Sequence, residues 1–243
     1  MLIAEIGNVH FGSLTKAKEL IKAAHEAGAD LIKSQAFRAE DLNIDSLSMP
    51  AEFYKKCEFT VEQYLHLIEY ARSIGNDLFF SIFSQGMEML SLSQTWHKVA
   101  GSQTGGTGIV KEWMDTENMI LSVPKWVIDS GYNHVVYRFK HASVLYVGPY
   151  LTDPHIELYL PRLALLLKRP VGYSDHSEGV EKCMLAAERF GVNVIEKHFC
   201  LKKNEAFLGT VYRDTIHSAT PKEFNDLSAF LSADFPTNKE VRT

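Results

Sequence analysis

Short apolar runs alternate along the chain with stretches of helical period. Leu2–Ile6 reads as a buried strand. Ser13–Ala27 follows, with Leu14, Ala17, Leu20, Ile21 and Ala24 spaced for one helix face, and Gly28 stands where a C-cap belongs. Leu31–Ser34 is the next strand, Thr60–Ser73 a helix ending near Gly75, and Leu78–Phe83 a third strand. Lys98–Ala100, Met119–Val123, Val144–Val147, Val171–Ser174 and Val194–Phe199 supply five more, the last two separated by a helix over Gly179–Phe190 that Gly191 closes. Alternation of this kind implies parallel strands joined by crossover helices. Eight units favour a closed (β/α)₈ TIM barrel over an open doubly wound sheet, and no G-x-G-x-x-G follows the first strand to support the open form. Two stretches fit less neatly. Residues 36–59 form a long connector, a lid or an irregular loop. Trp126–Lys140 is only weakly periodic, and His134–Phe139 reads alternatively as a strand. No linker or low-complexity segment interrupts the pattern, so residues 1–243 are read as a single barrel.

Composition narrows the class. Apolar residues make up 46% of 243, enough for one sizeable core, and the net charge of −5 with interspersed signs argues against nucleic acid and against a membrane surface as partner. No apolar run approaches the roughly 18 residues of a membrane span, and the opening MLIAEIG lacks the basic start and long apolar stretch of a signal peptide. Cys57, Cys183 and Cys200 are few, scattered and odd in number, which suits a reducing compartment. The expectation is a cytoplasmic protein.

In a barrel of this kind active groups gather at the carboxyl ends of the strands. The residues there are Glu5, Lys33 and Gln35, Lys98 and Ser102, Ser174 and His176, and Glu196 and His198. Side chains alternate faces along a strand, so each pair two apart shares one face, and a common inward face would bring these groups to one mouth. His176 and His198 are one helix-plus-strand unit apart. That spacing suits two imidazoles on neighbouring strands sharing a metal, although either ring also reads as a hydrogen-bonded structural histidine. Lys33 follows two apolar residues and needs an anion or a partner if buried. With Lys98 it suggests an anionic substrate, and a Schiff-base lysine is the other chemical reading.

The same segments resemble the sialic acid synthases, which condense phosphoenolpyruvate with an N-acetylated amino sugar. Ala4-Glu5-Ile6-Gly7 with Asn8 and His10 is similar to that family's opening AEIG-x-NH. The run from Ala27 to Gln35 is similar to its AGAD-x-x-K-x-Q, Gly172–Gly179 to its GYSDH-T-x-G, and Val194–Phe199 to its VIEKHF. Asp214 followed by Ser218-Ala219-Thr220-Pro221 and Phe224 resembles its D-x-x-x-S-L-x-P-x-x-F. The resemblance implies that His176 and His198 bind Mn²⁺, or Mg²⁺ or Co²⁺ in its stead. It implies that Lys33, Lys98 and Ser174, with Ser102 nearby, hold phosphoenolpyruvate, and that Gln35, Tyr150 and Asp214 contact the sugar. Glu5 would lie beside the reacting carbons. The resemblance implies a homodimer, in which most members' C-terminal antifreeze-like domain lends an Arg to the partner's sugar site; residues 1–243 are expected to be the barrel alone, without that domain.

Three departures stand out. Gln103 occupies a position where the family carries an acid, in the run Lys98-Val99-Ala100-Gly101-Ser102-Gln103; an amide cannot act as a base. The STG motif is reduced to Leu121-Ser122-Val123-Pro124, and Gly148 stands where an Asn or Ser binds phosphoenolpyruvate. Two functions are therefore weighed: a condensing enzyme, in which Gln103→Glu is expected to raise the rate if the synthase has decayed and to leave or lower it if Gln103 is tuned to a different sugar, and a non-catalytic homologue that binds a sugar or anion as a scaffold.

Overall fold

The computed structural model describes residues 1–43, 48–84, 87, 89–104, 118–130 and 139–233. Eight strands run in chain order: β1 (Leu2–Glu5), β2 (Leu31–Ala36), β3 (Leu78–Ile82), β4 (His97–Val99), β5 (Met119–Pro124), β6 (Ser143–Val147), β7 (Gly172–Asp175) and β8 (Ile195–His198). Each pairs in parallel with the next, and β1 pairs in parallel with β8, so the sheet closes. The expected barrel is what the chain forms, with strand limits within a residue or two of those read from the apolar runs.

Helices cover the outside: α1 (Leu14–Glu26), α2 (Ala51–Cys57), α3 (Val61–Ser73), α4 (Met89–Ser93), α5 (Lys125–Ser130), α6 (Ile156–Leu167), α7 (Glu181–Phe190), α8 (Asp214–His217) and α9 (Pro221–Ser232). Their ends obey local chemistry. The Ser13 hydroxyl accepts from Lys16 N at the start of α1, and Thr60 with Gln63 and Thr220 with Glu223 form reciprocal capping boxes at α3 and α9. The 36–59 connector holds a 3₁₀ turn (Ala39–Asp41) and α2. The alternative strand at His134–Phe139 falls on residues 131–138, outside the described residues apart from Phe139. No helix among the described residues is long and apolar enough to cross a membrane, and the three cysteines are free and buried.

The barrel interior is layered. Ile3, Leu31, Phe79, Ile120, Leu145 and Val194 form an apolar plug inside the strands. Two residues further along several of these strands the inward side chains are Glu5, Lys33, Ser81, Ser122, Ser174 and Glu196. Apolar area drives closure below, and the same period of two presents charge above. Gly172 is needed where β7 passes β6 and β8: an added Cβ would stand 2.2 Å from Leu145 Cδ2 and 2.5 Å from Val194 O.

Candidate active site

A cavity of about 340 Å³ opens at the carboxyl ends of the strands, lined by Glu5, Lys33, Lys98, Ser174, His176, Glu196 and His198 among others. It runs into a second chamber of about 410 Å³ lined by Asn8, Gln103, Tyr212 and Arg213. Gln35, Phe83, Ser102, Tyr150 and Asp214 belong to both walls. The strand-end side chains picked from the sequence, with Gln103, Tyr150 and Asp214, therefore all line one two-chambered mouth.

At the bottom of the inner chamber two lysines meet two carboxylates. Lys33 Nζ pairs with Glu5 and stands 3.8 Å from Glu196 Oε1, while Lys98 Nζ donates to Glu196 Oε2 at 2.5 Å. Ser174 Oγ donates to Glu196 Oε1 at 3.1 Å and Lys33 Nζ to Ser81 Oγ at 3.2 Å. Burial by itself would raise the Glu196 carboxyl, but Lys33 and then Lys98 outweigh it and hold it at about 2. Burial pushes Lys33 down to about 7, with Glu196 opposing and Lys98 adding to the fall, and it lowers Lys98 as well. The lysines do converge with Ser174 as expected, but around a carboxylate of the protein itself. Glu196 was visible in the sequence as an inward strand residue; its role as the shared counter-ion was not.

His176 follows β7 directly and His198 ends β8. Their ring centroids are 5.1 Å apart. The register that aligns them is fixed from the outer face, where Asp175 pairs with Lys197 across β7 and β8, Nζ to Oδ2 2.7 Å, both side chains fully buried. Nδ1 of each histidine is buried without a hydrogen-bond partner among the described residues. Burial lowers both rings below the ordinary histidine range, so both are neutral, the form that binds a metal. A third ring, His217 at the end of α8, lies against both and is absent from the sequence reading. Its only sequence signal is its place one helical turn after Asp214.

The outer chamber is polar and aromatic. Asn8 Nδ2 donates to Gln35 Oε1 at 3.1 Å, and the Tyr212 hydroxyl donates to Asp214 Oδ2 at 2.6 Å. The Arg213 guanidinium lies over the Tyr150 ring at 3.8 Å, and its Nε is buried without a hydrogen-bond partner among the described residues. Gln103 lies on this wall rather than in the charged layer: its Oε1 accepts from Ala100 N at 3.2 Å and its Nε2 donates to Ile82 O at 2.8 Å. Gly148 points out of the barrel, where an added Cβ would meet Asp153 Oδ2 at 2.7 Å and the Tyr173 hydroxyl at 2.9 Å. The Asp153–Tyr173 pair fills the space that a side chain at 148 would need.

Fold and site together define a (β/α)₈-barrel protein whose mouth gathers buried lysines, carboxylates and neutral imidazoles. The chain belongs to the NeuB family, whose model matches residues 20–125 and 154–233. The match breaks across residues 126–153, the stretch that contains Gly148. An uncharacterised protein of Methanocaldococcus jannaschii is 31% identical over 93% of this chain and 68% of its own. Pseudaminic acid synthase of Helicobacter pylori is 26% identical over 96% of this chain and 72% of its own. N,N'-diacetyllegionaminic acid synthase of Legionella pneumophila is 29% identical over 84% and 64%. This chain thus spans about two thirds of the length of these relatives. Among solved structures, the N-acetylneuraminic acid synthetase of Leptospira borgpetersenii in complex with citrate superposes with a TM-score of 0.76 at 26% identity, covering 95% of this chain and 81% of that one.

Proposed function

We propose that this chain condenses phosphoenolpyruvate with an N-acetylated amino sugar of the N-acetylmannosamine type, giving a nonulosonic acid and phosphate. The observation that carries this reading is the joining of the two chambers: a charged one sized for a small anion opens into a polar, aromatic one sized for a sugar. Lys33, Lys98 and Ser174 would bind phosphoenolpyruvate, and Gln35, Tyr150 and Asp214 would orient the open-chain sugar above it. The C3 carbon of phosphoenolpyruvate forms the new bond to the aldehyde carbon. Water adds at C2, and phosphate leaves as its C–O bond breaks. Glu5 lies on Lys33, next to the reacting carbons in this arrangement. Lys33, at about 7, is able to hold or release a proton near neutral pH.

His176 and His198 would hold a divalent cation, Mn²⁺ or else Mg²⁺ or Co²⁺. The orphaned, buried Nδ1 atoms and the neutral rings fit that group. When bound, the ion supplies Lewis-acid polarisation of the aldehyde oxygen. A second reading, a non-catalytic homologue that binds a sugar or anion, is favoured by one observation: Glu5 and Glu196 already neutralise both lysines. The deciding measurement is phosphate release from phosphoenolpyruvate with Mn²⁺ and a panel of amino sugars. Weak, strictly metal-dependent release that Glu5→Gln nearly abolishes is expected. No release with any sugar, alongside retained sugar binding, would favour the second reading.

A further inference from the structure

The sequence motifs supply two histidines, and the fold brings a third to them. The chain after β8 returns to its end: Phe199 and Ala219 form a parallel bridge, and Ala219 N donates to His198 O at 2.7 Å. That return sets His217, with 0% of its surface exposed, against both rings. Its centroid is 4.8 Å from that of His198 and 5.6 Å from that of His176. Among the described residues neither nitrogen of His217 has a hydrogen-bond partner, and with Nδ1 of His176 and of His198 this makes a nest of orphaned ring nitrogens. A buried polar atom without a partner is destabilising and rare in folded proteins. Several on three touching imidazoles point to a missing common partner, and a cation is the partner that neutral imidazoles share.

The spacing agrees. An ion bound at about 2.1 Å from a ring nitrogen lies roughly 3.2 Å from the ring centroid, and the point equidistant from these three centroids lies about 3.0 Å from each. As the side chains stand, no three His, Cys, Asp or Glu groups among the described residues have their donor atoms gathered to hold an ion. A turn of the His217 ring is therefore needed. Asp214 Oδ1, 3.9 Å from His217 Nε2, is too far for a hydrogen bond now but is poised to take that N–H as the ring turns, leaving Nδ1 as the donor atom.

We propose that His217 is the third protein ligand of a divalent-metal centre formed with His176 and His198. This rests on the metal reading above and extends it. The test loads the full chain with Mn²⁺, measures affinity by calorimetry, and counts coordinated nitrogens by pulsed electron paramagnetic resonance. Three coupled nitrogens are expected in the unaltered protein and two in His217→Ala, with affinity lowered by at least about tenfold, as in His176→Ala. His217→Asn, with the folded state checked by circular dichroism, serves if the alanine variant fails to fold. Two coupled nitrogens in the unaltered protein, or unchanged affinity in both variants, would overturn the proposal and leave the His176–His198 pair standing. No Mn²⁺ binding by the unaltered protein would instead remove the metal reading itself.

Discussion

Both ends of the Gln103 amide are taken by main-chain groups, Ala100 N on the oxygen and Ile82 O on the nitrogen. A carboxylate fits the first contact but sets its second oxygen against the Ile82 carbonyl, acceptor against acceptor. Gln103→Glu should therefore lose about 1–3 kcal/mol of stability at pH 7, read by urea denaturation, and should not raise any condensing rate. A variant as stable as the parent at pH 7 would sink this account. Of the two outcomes weighed for this substitution, the geometry favours no gain. The position of each inward side chain is legible in the sequence because strand period alone decides it: Glu5, Lys33, Ser174 and Glu196 all follow from the alternation. What each one touches is not legible, since Lys98 and Glu196 meet across the barrel from 98 residues apart. His217 and Arg213 escape such reading because they flank or close a four-residue helix that shows no periodicity of its own.

At the scale of the element, the runs GYSDH and IEKHF each carry two jobs on alternate residues. Ser174, His176, Glu196 and His198 face the cavity, while Asp175 and Lys197 face the helices and lock β7 to β8. Asp175 Oδ1 also accepts from Ser177 N at 2.9 Å and from Ser177 Oγ at 2.7 Å, and Lys197 Nζ donates to Ser177 O at 2.5 Å, so the loop bearing His176 is tied down as well. Burial would raise the Asp175 carboxyl, but Lys197 outweighs it and keeps it ionised. Removing one partner from such a pair typically costs about 3–5 kcal/mol, because a buried charge is left uncompensated. Lys197→Met should show that loss in chemical denaturation, and adding Asp175→Asn should restore part of it by removing the stranded charge. A single variant that loses less than about 1 kcal/mol would mean the pair does not hold the strands. The eight strands are legible from apolar runs because packing and period agree there. The limits of the helix after β5 are not, since α5 has only six residues.

For the whole molecule, the histidines make stability depend on pH in one direction. His176, His198 and His217 are all held below the ordinary histidine value by burial, His217 at about 2, and His10, buried elsewhere against Phe59, at about 3. In the unfolded chain each ring titrates near about 6.5. Below that pH the unfolded state binds more protons than the folded one, so the free energy of unfolding falls as pH falls, and it is fully present above pH about 6.5. Each such proton is worth about 1.4 kcal/mol per pH unit, so the three rings held far below that value, His10, His198 and His217, give a limiting slope of roughly 4 kcal/mol per unit, to which His176 adds in the same direction. Glu196, at about 2, adds a loss of the same sign below pH about 4.5. Lys33, at about 7, carries its proton in both states at pH 5 and adds no slope there. A total stability of about 5–15 kcal/mol does not survive that gradient for long. The metal-free protein should therefore unfold between pH about 4 and 6 with an uptake of three to four protons, measured by circular dichroism at stepped pH with chelator present. His217→Ala should reduce the uptake by one. Mn²⁺ should move the midpoint to lower pH if the three rings bind it, because a metal on the ring nitrogens competes with the proton. An uptake below two protons would mean that the buried rings are charged or hydrogen-bonded in the folded state, and would contradict the orphaned nitrogens on which the metal centre is argued.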